Sequence, residues 1–252
     1  MEEQMTEKQK LLEAMEFVKK AMGGFIPFIS ITLGSGLGYM VELLEGACSC
    51  DYSDIPNCPT PGATGHAGKL WWGKLDGVPV IMLQGRVHLY EGYSVHEVVF
   101  LTRLMIMLGV KKLIMTHATG AVTRNLEPGD IVAVRSMLPL NCPDPTSGPG
   151  IPELGIEFSP VDTALSLRFR QLAKQCAREE GVSLHWGVSC FKFGRTYEGA
   201  AEGDMMARMG GDLATMSTIP DVMAAAQMNA EVLDLALITD MVCQREIEMS
   251  YF

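Results

Sequence analysis

The sequence predicts a single α/β domain built on a central sheet. Helix-period and strand-period segments alternate along the whole chain, no repeat or low-complexity stretch interrupts them, and no shift in composition marks a boundary. The length of 252 residues fits one large domain or two small ones, at ~100–200 residues each. At 48% hydrophobic residues the composition is that of a globular protein. A chain of this size buries roughly 70–75% of its unfolded surface and needs no disulfide or metal to hold its core.

The elements follow in order. Residues 7–22 place Leu11, Leu12, Met15, Val18 and Met22 on one helical face, and Gly23-Gly24 stops the helix. Phe28 to Leu33 is continuously apolar, as a buried strand is, and runs into Gly34-Ser35-Gly36-Leu37-Gly38. Residues 46–68 carry Pro56, Pro59, Pro61, Gly62, Gly65 and Gly68 and predict a long loop, of a length often tied to function. Leu70 to Lys74 and Val78 to Leu83 flank Asp76-Gly77, the dipeptide of a type I′ hairpin turn. Ser94 and Glu97 form a capping box for a helix through about Leu108. Lys112 to Thr116 predicts a strand opening into His117-Ala118-Thr119-Gly120, and Ile131 to Val134 another. Residues 139–160, rich in Pro and Gly, predict a second long loop. Then come a helix over 163–179, a strand over 184–192, a helix over 200–209, a short strand near Leu213, a helix over 220–231, and a strand from Leu233 to Ile238.

Charge and composition exclude several classes. Twenty Lys+Arg against 30 Asp+Glu give a net charge of −10, and no basic run interleaved with aromatics offers a nucleic-acid surface. The longest apolar stretch, Val98 to Val110, is broken by Thr102 and Arg103 and falls short of the ~20 residues that span a bilayer. The N-terminus, MEEQMTEKQK, lacks the basic-then-apolar order of a signal peptide. A soluble, cytoplasmic protein is expected. The 7 cysteines include no C-x-x-C pair; Cys48, Cys50 and Cys58 are either a metal or redox cluster or, with zinc spacings absent, reduced thiols. Most of the 18 methionines fall in apolar runs and read as core filler.

Ligands in such folds gather at the carboxyl ends of strands, where this sequence sets several polar or Gly-rich clusters. Gly34 to Gly38 suits an anion-binding nest or a plain tight turn; as G-x-G-x-G it matches neither the dinucleotide fingerprint nor the P-loop. Gln84-Gly85-Arg86-Val87-His88-Leu89-Tyr90-Glu91-Gly92 is richer in chemistry. Arg86 can fork two hydrogen bonds to a phosphate, and His88, two residues on in an extended stretch, can point the same way; a solvated polar loop is the alternative. His66, within Gly65-His66-Ala67-Gly68, is structural or part of a site.

Taken together, these segments resemble the trimeric purine nucleoside phosphorylase family over roughly residues 28–242. LGSGLG at 33–38, GHAGKL at 65–70, QGRVHLYEG at 84–92, GDIV at 129–132, MST at 216–218 and LIT at 237–239 carry the resemblance in order and spacing. It implies one phosphorylase/hydrolase-like domain over 1–252, with a mixed, partly barrel-like sheet flanked by helices. It also implies phosphorolysis of purine nucleosides in purine salvage, within a homotrimer, with inorganic phosphate as co-substrate and neither organic cofactor nor metal. By carry-over, Ser35, Arg86, His88 and Ser217 hold phosphate, assisted by Ala118 with His66 nearby. Tyr90 and Met216 contact the ribose. Tyr197 and Glu198 contact the base, as does Asp240, and Phe158 is a lid residue reaching a neighbouring subunit. His88, Glu198 and Asp240 are the catalytic candidates.

The sequence departs from the family pattern at four places. Arg195 and Gly199 replace the Pro and Thr of the base-binding segment, so Arg195 either pairs with Glu198, contacts substrate, or is solvated. Asp240 replaces an asparagine that can donate to purine N7; ionised aspartate only accepts, whereas a protonated, buried Asp240 would serve as a general acid. An acceptor there suits a 6-amino group and Glu198 suits the N1–H of a 6-oxopurine, so relaxed or shifted base preference is expected. His117 and Ala121 replace asparagine and glycine, altering the pocket floor or merely packing. Cys243 to Phe252 contains no histidine, and the family's usual C-terminal helix and its histidine for the ribose 5′-hydroxyl are absent from the sequence. A methylthioadenosine or adenosine phosphorylase and a silent nucleoside binder are the competing expectations.

Overall fold

The computed structural model of the protein describes residues 5–148 and 151–242. Cys243 and the histidine-free segment that follows lie outside the described residues. Among those described, nine strands form one mixed sheet in the order β2-β3-β4-β1-β5-β8-β7-β6-β9. The strands are β1 (Ile29–Leu33), β2 (Glu45–Asp51), β3 (Lys69–Leu75), β4 (Val78–Gln84), β5 (Lys112–Ala121), β6 (Ile131–Leu138), β7 (Leu184–Phe191), β8 (Leu213–Thr215) and β9 (Glu231–Met241). Because β9 also pairs with β5, strands β5, β8, β7, β6 and β9 close into a five-stranded barrel, and β1 to β4 extend from it as an open wing. The helices are α1 (Glu7–Ala21), α2 (Val95–Val98), α3 (Phe100–Met107), α4 (Val161–Ala164), α5 (Leu167–Glu179), α6 (Ala200–Arg208) and α7 (Ile219–Gln227). The expected single α/β domain with a partly barrel-like sheet is what the chain forms.

Local chemistry sets most boundaries. Thr6 and Gln9 form the capping box of α1, Glu7 occupies its first turn and Lys19 and Lys20 its last, each on the side the helix dipole favours. Asp76 and Gly77 both take positive φ (49° and 76°), which gives the β3–β4 hairpin its type I′ turn. α7 buries all nine of its residues, consistent with its Ala-rich sequence.

Tertiary structure overrides the sequence reading in several places. Residues 45–51, read mostly as loop, form the edge strand β2 against β3, so Cys48 and Cys50 sit on a strand; with Cys58 they are unbridged. The helix expected from Ser94 to Leu108 has its capping box but breaks at Val99 into α2 and α3. The helix over 163–179 divides at Leu165, which bridges to Val232, and restarts with Ser166 as the N-cap of α5. α7 stops at Gln227, and residues 117–120 belong to β5 rather than to a loop.

That extension of β5 makes the site. β1 pairs with β5 from Ser30↔Leu113 and no further than Thr32↔Met115, whereas β8 joins the same edge at Gly120↔Ala214. Between them the edge at residues 116–119 is relieved of a strand partner on that side, which creates a topological switch point. Gly34, just past β1, fills the gap: its N–H donates to Thr116 Oγ1 at 2.9 Å. A Cβ on Gly34 would lie 2.5 Å from the Thr116 carbonyl oxygen and 2.9 Å from His117 Cα, both backbone atoms. Gly34→Ala should therefore lower the unfolding free energy by about 1–3 kcal/mol, as measured by urea denaturation; an unchanged midpoint would mean that the two backbones separate freely.

Candidate functional site

The gap opens into a pocket of about 200 Å³. It gathers Ser35, His66, Arg86, His88, Tyr90, Ala118, Met216, Ser217, Tyr197, Glu198 and Asp240, every predicted site residue except one. The exception is Phe158, which lines a separate cleft beside Asp144 and Met223 and is 86% exposed. It stands apart from the pocket that gathers the others.

One end is built on Arg86, which leaves β4 and is buried. Its Nη2 donates to the Thr116 carbonyl at 2.6 Å, the edge freed by the split, and its Nη1 donates to Ser217 Oγ at 3.1 Å. Burial pulls the Arg86 pKa down, while nearby Asp221 and Asp234 push it back up. His66 is fixed to the Arg86 backbone through Nδ1 and turns Nε2 toward Ser35 Oγ at 3.4 Å. The close approach requires a glycine at 85, where φ is +105° and a Cβ would meet His66 Cβ at 2.7 Å. Ser217 lies just before α7, whose first residues follow Thr218 at φ 54°, an uncommon conformation for a β-branched residue.

His88 is buried and neutral at pH 7. Burial, followed by the Arg86 charge, lowers its pKa to about 4, against the opposing pull of Glu91. Glu91 Oε1 accepts from the His88 N–H at 2.8 Å and lies 2.8 Å from Nδ1, and its other oxygen accepts from the Gly62 N–H at 2.6 Å. Burial raises the Glu91 pKa, but the His88 and Gly62 hydrogen bonds together carry it below the ordinary value. Nδ1 faces this carboxylate, so the imidazole orientation is set from behind. Its ring stacks on Tyr90 with centroids 4.6 Å apart.

The second group consists of two carboxylates. Glu198 is buried, while its neighbour Tyr197 is 70% exposed at the mouth. Gly194 brings their segment in: at φ +82° it packs so tightly that a Cβ would lie 2.5 Å from Met216 Sδ and 3.1 Å from Tyr90 Cδ1. Arg195 is exposed, with its guanidinium 5.7 Å from the centre of the Tyr90 ring. Asp240 owes its position to a β-bulge: the β5–β9 register shifts between Thr119 and Gly120, leaving Thr239 as the extra residue. The bulge turns Asp240 over Gly120, whose missing Cβ would lie 3.4 Å from both carboxylate oxygens. Thr239 Oγ1 donates to Asp240 Oδ1 at 3.2 Å. Asp240 is half-buried rather than enclosed, so the deep burial invoked for a general acid is not present.

Under the pocket lies a layer of which the sequence singled out only His117, on the pocket floor. His117 Nδ1 is 3.1 Å from Thr215 Oγ1, which accepts the Ser217 N–H at 3.2 Å and lies 3.3 Å from Ser217 Oγ. His117 Nε2 stands 3.3 Å from Asp234 Oδ1, and Asp221, bonded to Thr102, adds a second buried acid whose pKa burial raises to about 6. The available signal was an aspartate inside each of two apolar segments, Val232 to Ile238 and Ile219 to Ala226. Among the described residues, no group of three or more His, Cys, Asp or Glu is arranged to hold a metal, and no helix is long and apolar enough to cross a membrane.

A sequence profile of the phosphorylase superfamily matches residues 29–250. Purine nucleoside phosphorylase 1 of Geobacillus stearothermophilus is 41% identical over 229 residues, covering 91% of this chain and 83% of its own. The Bos taurus purine nucleoside phosphorylase is 36% identical over 86% of this chain and 76% of its own. Among solved structures, a purine nucleoside phosphorylase in complex with ribose-1-phosphate superposes with a TM-score of 0.90 at 34% identity, over 98% of this chain and 93% of that one. The Schistosoma mansoni enzyme in complex with inosine superposes at 0.88 and 33% identity, over 94% of this chain and 85% of that one. By fold, sequence and the residues gathered at the sheet's switch point, the chain belongs to the purine nucleoside phosphorylase family.

Proposed function

We propose that the protein catalyses phosphorolysis of purine nucleosides, giving the free purine base and ribose or deoxyribose 1-phosphate. The observation that carries this reading is the convergence of Ser35, Arg86, His88 and Ser217 with Glu198 and Asp240 in one pocket. As the C1′–N9 bond breaks, its electron pair leaves with the purine and positive charge builds on the sugar. Phosphate held by Arg86, Ser35 and Ser217 faces the anomeric carbon, stabilises that charge, and bonds to C1′ with inversion. Glu198 and Asp240 face the departing base as hydrogen-bond acceptors that hold it by its N–H groups, and the purine takes up its proton from solvent as it leaves. His88, fixed by Glu91, completes the phosphate end, and Tyr90 and Met216 flank the sugar. Inorganic phosphate is the co-substrate in this reading, which involves no organic cofactor or metal. The setting is a cytoplasmic homotrimer; the exposed Phe158 is supported as a contribution to a neighbouring subunit by its 86% accessibility.

Base preference turns on the carboxylate pair. Asp240 favours an acceptor role toward a 6-amino group, which keeps methylthioadenosine and adenosine alongside inosine and guanosine as substrates. The deciding assay follows free base released from these four nucleosides with and without phosphate. Release only with phosphate is expected, whereas release without it, or none at all, would overturn phosphorolysis. Asp240→Asn should raise the ratio of inosine to adenosine turnover by about tenfold, the value of one hydrogen bond gained or lost in a polar site; an unchanged ratio removes Asp240 from base recognition. Arg86→Ala should raise the phosphate KM by roughly a hundredfold, as expected for losing a charged partner, with much less effect on nucleoside binding. Equal loss of both would reject its assigned role.

A further inference from the structure

Tyr90 belongs to a row of side chains along one wall of the pocket. Its ring stacks on that of His88, with centroids 4.6 Å apart and planes 14° apart, and His88 in turn lies 5.1 Å from His66. The Arg195 guanidinium adds a fourth member, 5.7 Å from the centre of the Tyr90 ring. His66, His88 and Tyr90 line the pocket, whereas Arg195 does not. The row therefore reaches from the phosphate end, where His66 Nε2 is 3.4 Å from Ser35 Oγ, to the segment 194–199 that carries Glu198.

That segment is weakly held by its own backbone. Lys192 N–H donates to the Thr215 carbonyl at 2.8 Å, and Gly203 N–H donates to the Gly199 carbonyl at 3.0 Å. Between these two points, among the described residues, no backbone-to-backbone hydrogen bond anchors residues 193–198. Side chains must supply much of the attachment, and Tyr90 receives two contacts from consecutive residues. A Cβ on Gly194 would lie 3.1 Å from Tyr90 Cδ1, so the backbone there is pressed against the ring edge. Arg195, the one cation in the segment, adds its guanidinium over the ring. The ring quadrupole attracts such a cation even while the cation stays hydrated. Tyr90 thus touches both the phosphate end, through His88, and the segment that brings in Glu198.

We propose that Arg195 is a positioning residue, a latch that holds the segment 194–199 against the Tyr90 ring and so fixes Glu198 relative to the sugar wall. The proposal rests on the phosphorolysis reading for the identity of the substrate. Steady-state kinetics of R195Q, R195K, and R195Q combined with Y90F or Y90L test it, each double variant being compared with its Tyr90 parent. R195Q keeps the length of the side chain and loses the charge. It should raise the inosine KM about threefold, the value of a cation–π contact at an exposed site, and leave the phosphate KM nearly unchanged. R195K keeps a cation and should behave nearly as the wild type does. In the Y90F background, which retains a ring, R195Q should cost the same factor; in Y90L it should cost nothing further, because Arg195 acts through that ring. A wild-type inosine KM in R195Q, an R195K as weak as R195Q, or equal losses in the Y90F and Y90L backgrounds would overturn the latch, the last by giving Arg195 to Glu198 or to the substrate itself. A second measurement needs no substrate: the rate of chymotrypsin cleavage after Tyr197. Cleavage should be about threefold faster in R195Q than in the wild type and unchanged in R195K; equal rates in all three would overturn the latch. These two variants leave Tyr90 intact, so the cleavage arm stands even where Y90L fails to fold. A wild type that cleaves no nucleoside would overturn the phosphorolysis reading, and the cleavage rates would then decide the latch alone.

Discussion

The structure depends on keeping one guanidinium out of water. Burying an ion the size of Arg86 costs several kcal/mol unless partners replace its hydration. Here each replacement comes from a different element: the Thr116 carbonyl from β5, Ser217 from the β8–α7 junction, Asp221 from α7 and Asp234 from β9. These elements meet only where the barrel closes beside the open wing. The cation therefore cannot be satisfied unless the sheet splits between β1 and β8, and the split in turn leaves the edge on which the pocket is built.

The same economy governs the ligand end. The net charge of −10 opposes an approaching anion at long range, but its reach is limited to a Debye length of about 8 Å at physiological salt. Inside the pocket, donors are held by atoms behind them: His88 by Glu91, His66 by the Arg86 backbone, and Ser217 by Thr215. Supporting groups of this kind fix rotamers before a ligand arrives, so little reorganisation remains at the reacting centre. Two glycines serve the same end by subtraction, Gly85 admitting His66 and Gly194 admitting Met216.

Much of the fold was legible locally. The capping boxes at Thr6 and Ser94, the Asp76-Gly77 turn and the apolar runs of β1 and β9 act through neighbours in sequence, and each formed where it was expected. β2 was not legible: Glu45 to Asp51 is an exposed edge strand with little apolar alternation, held by pairing to β3. The break at Leu165 was hidden for the converse reason, since helical periodicity continues across it while a bridge to Val232, distant in sequence, interrupts the helix. The departures at Arg195 and Asp240 had open meanings that coordinates narrowed: Arg195 lies over Tyr90, and Asp240 is half-buried on a bulge.

By itself the sequence determined an alternating α/β chain and which side-chain chemistries cluster at strand ends, because propensity, capping and turn geometry operate within a few residues. Only the tertiary structure decided what stands behind those side chains. The Arg86–Ser217 and His117–Thr215 hydrogen bonds span 131 and 98 residues, and the His117–Asp234 pair joins two strands through barrel closure. Periodicity carries no information about such partners: a buried charge finds its counter-charge through three-dimensional proximity, and an aspartate in an apolar strand acquires its meaning only from the residue that packs beside it.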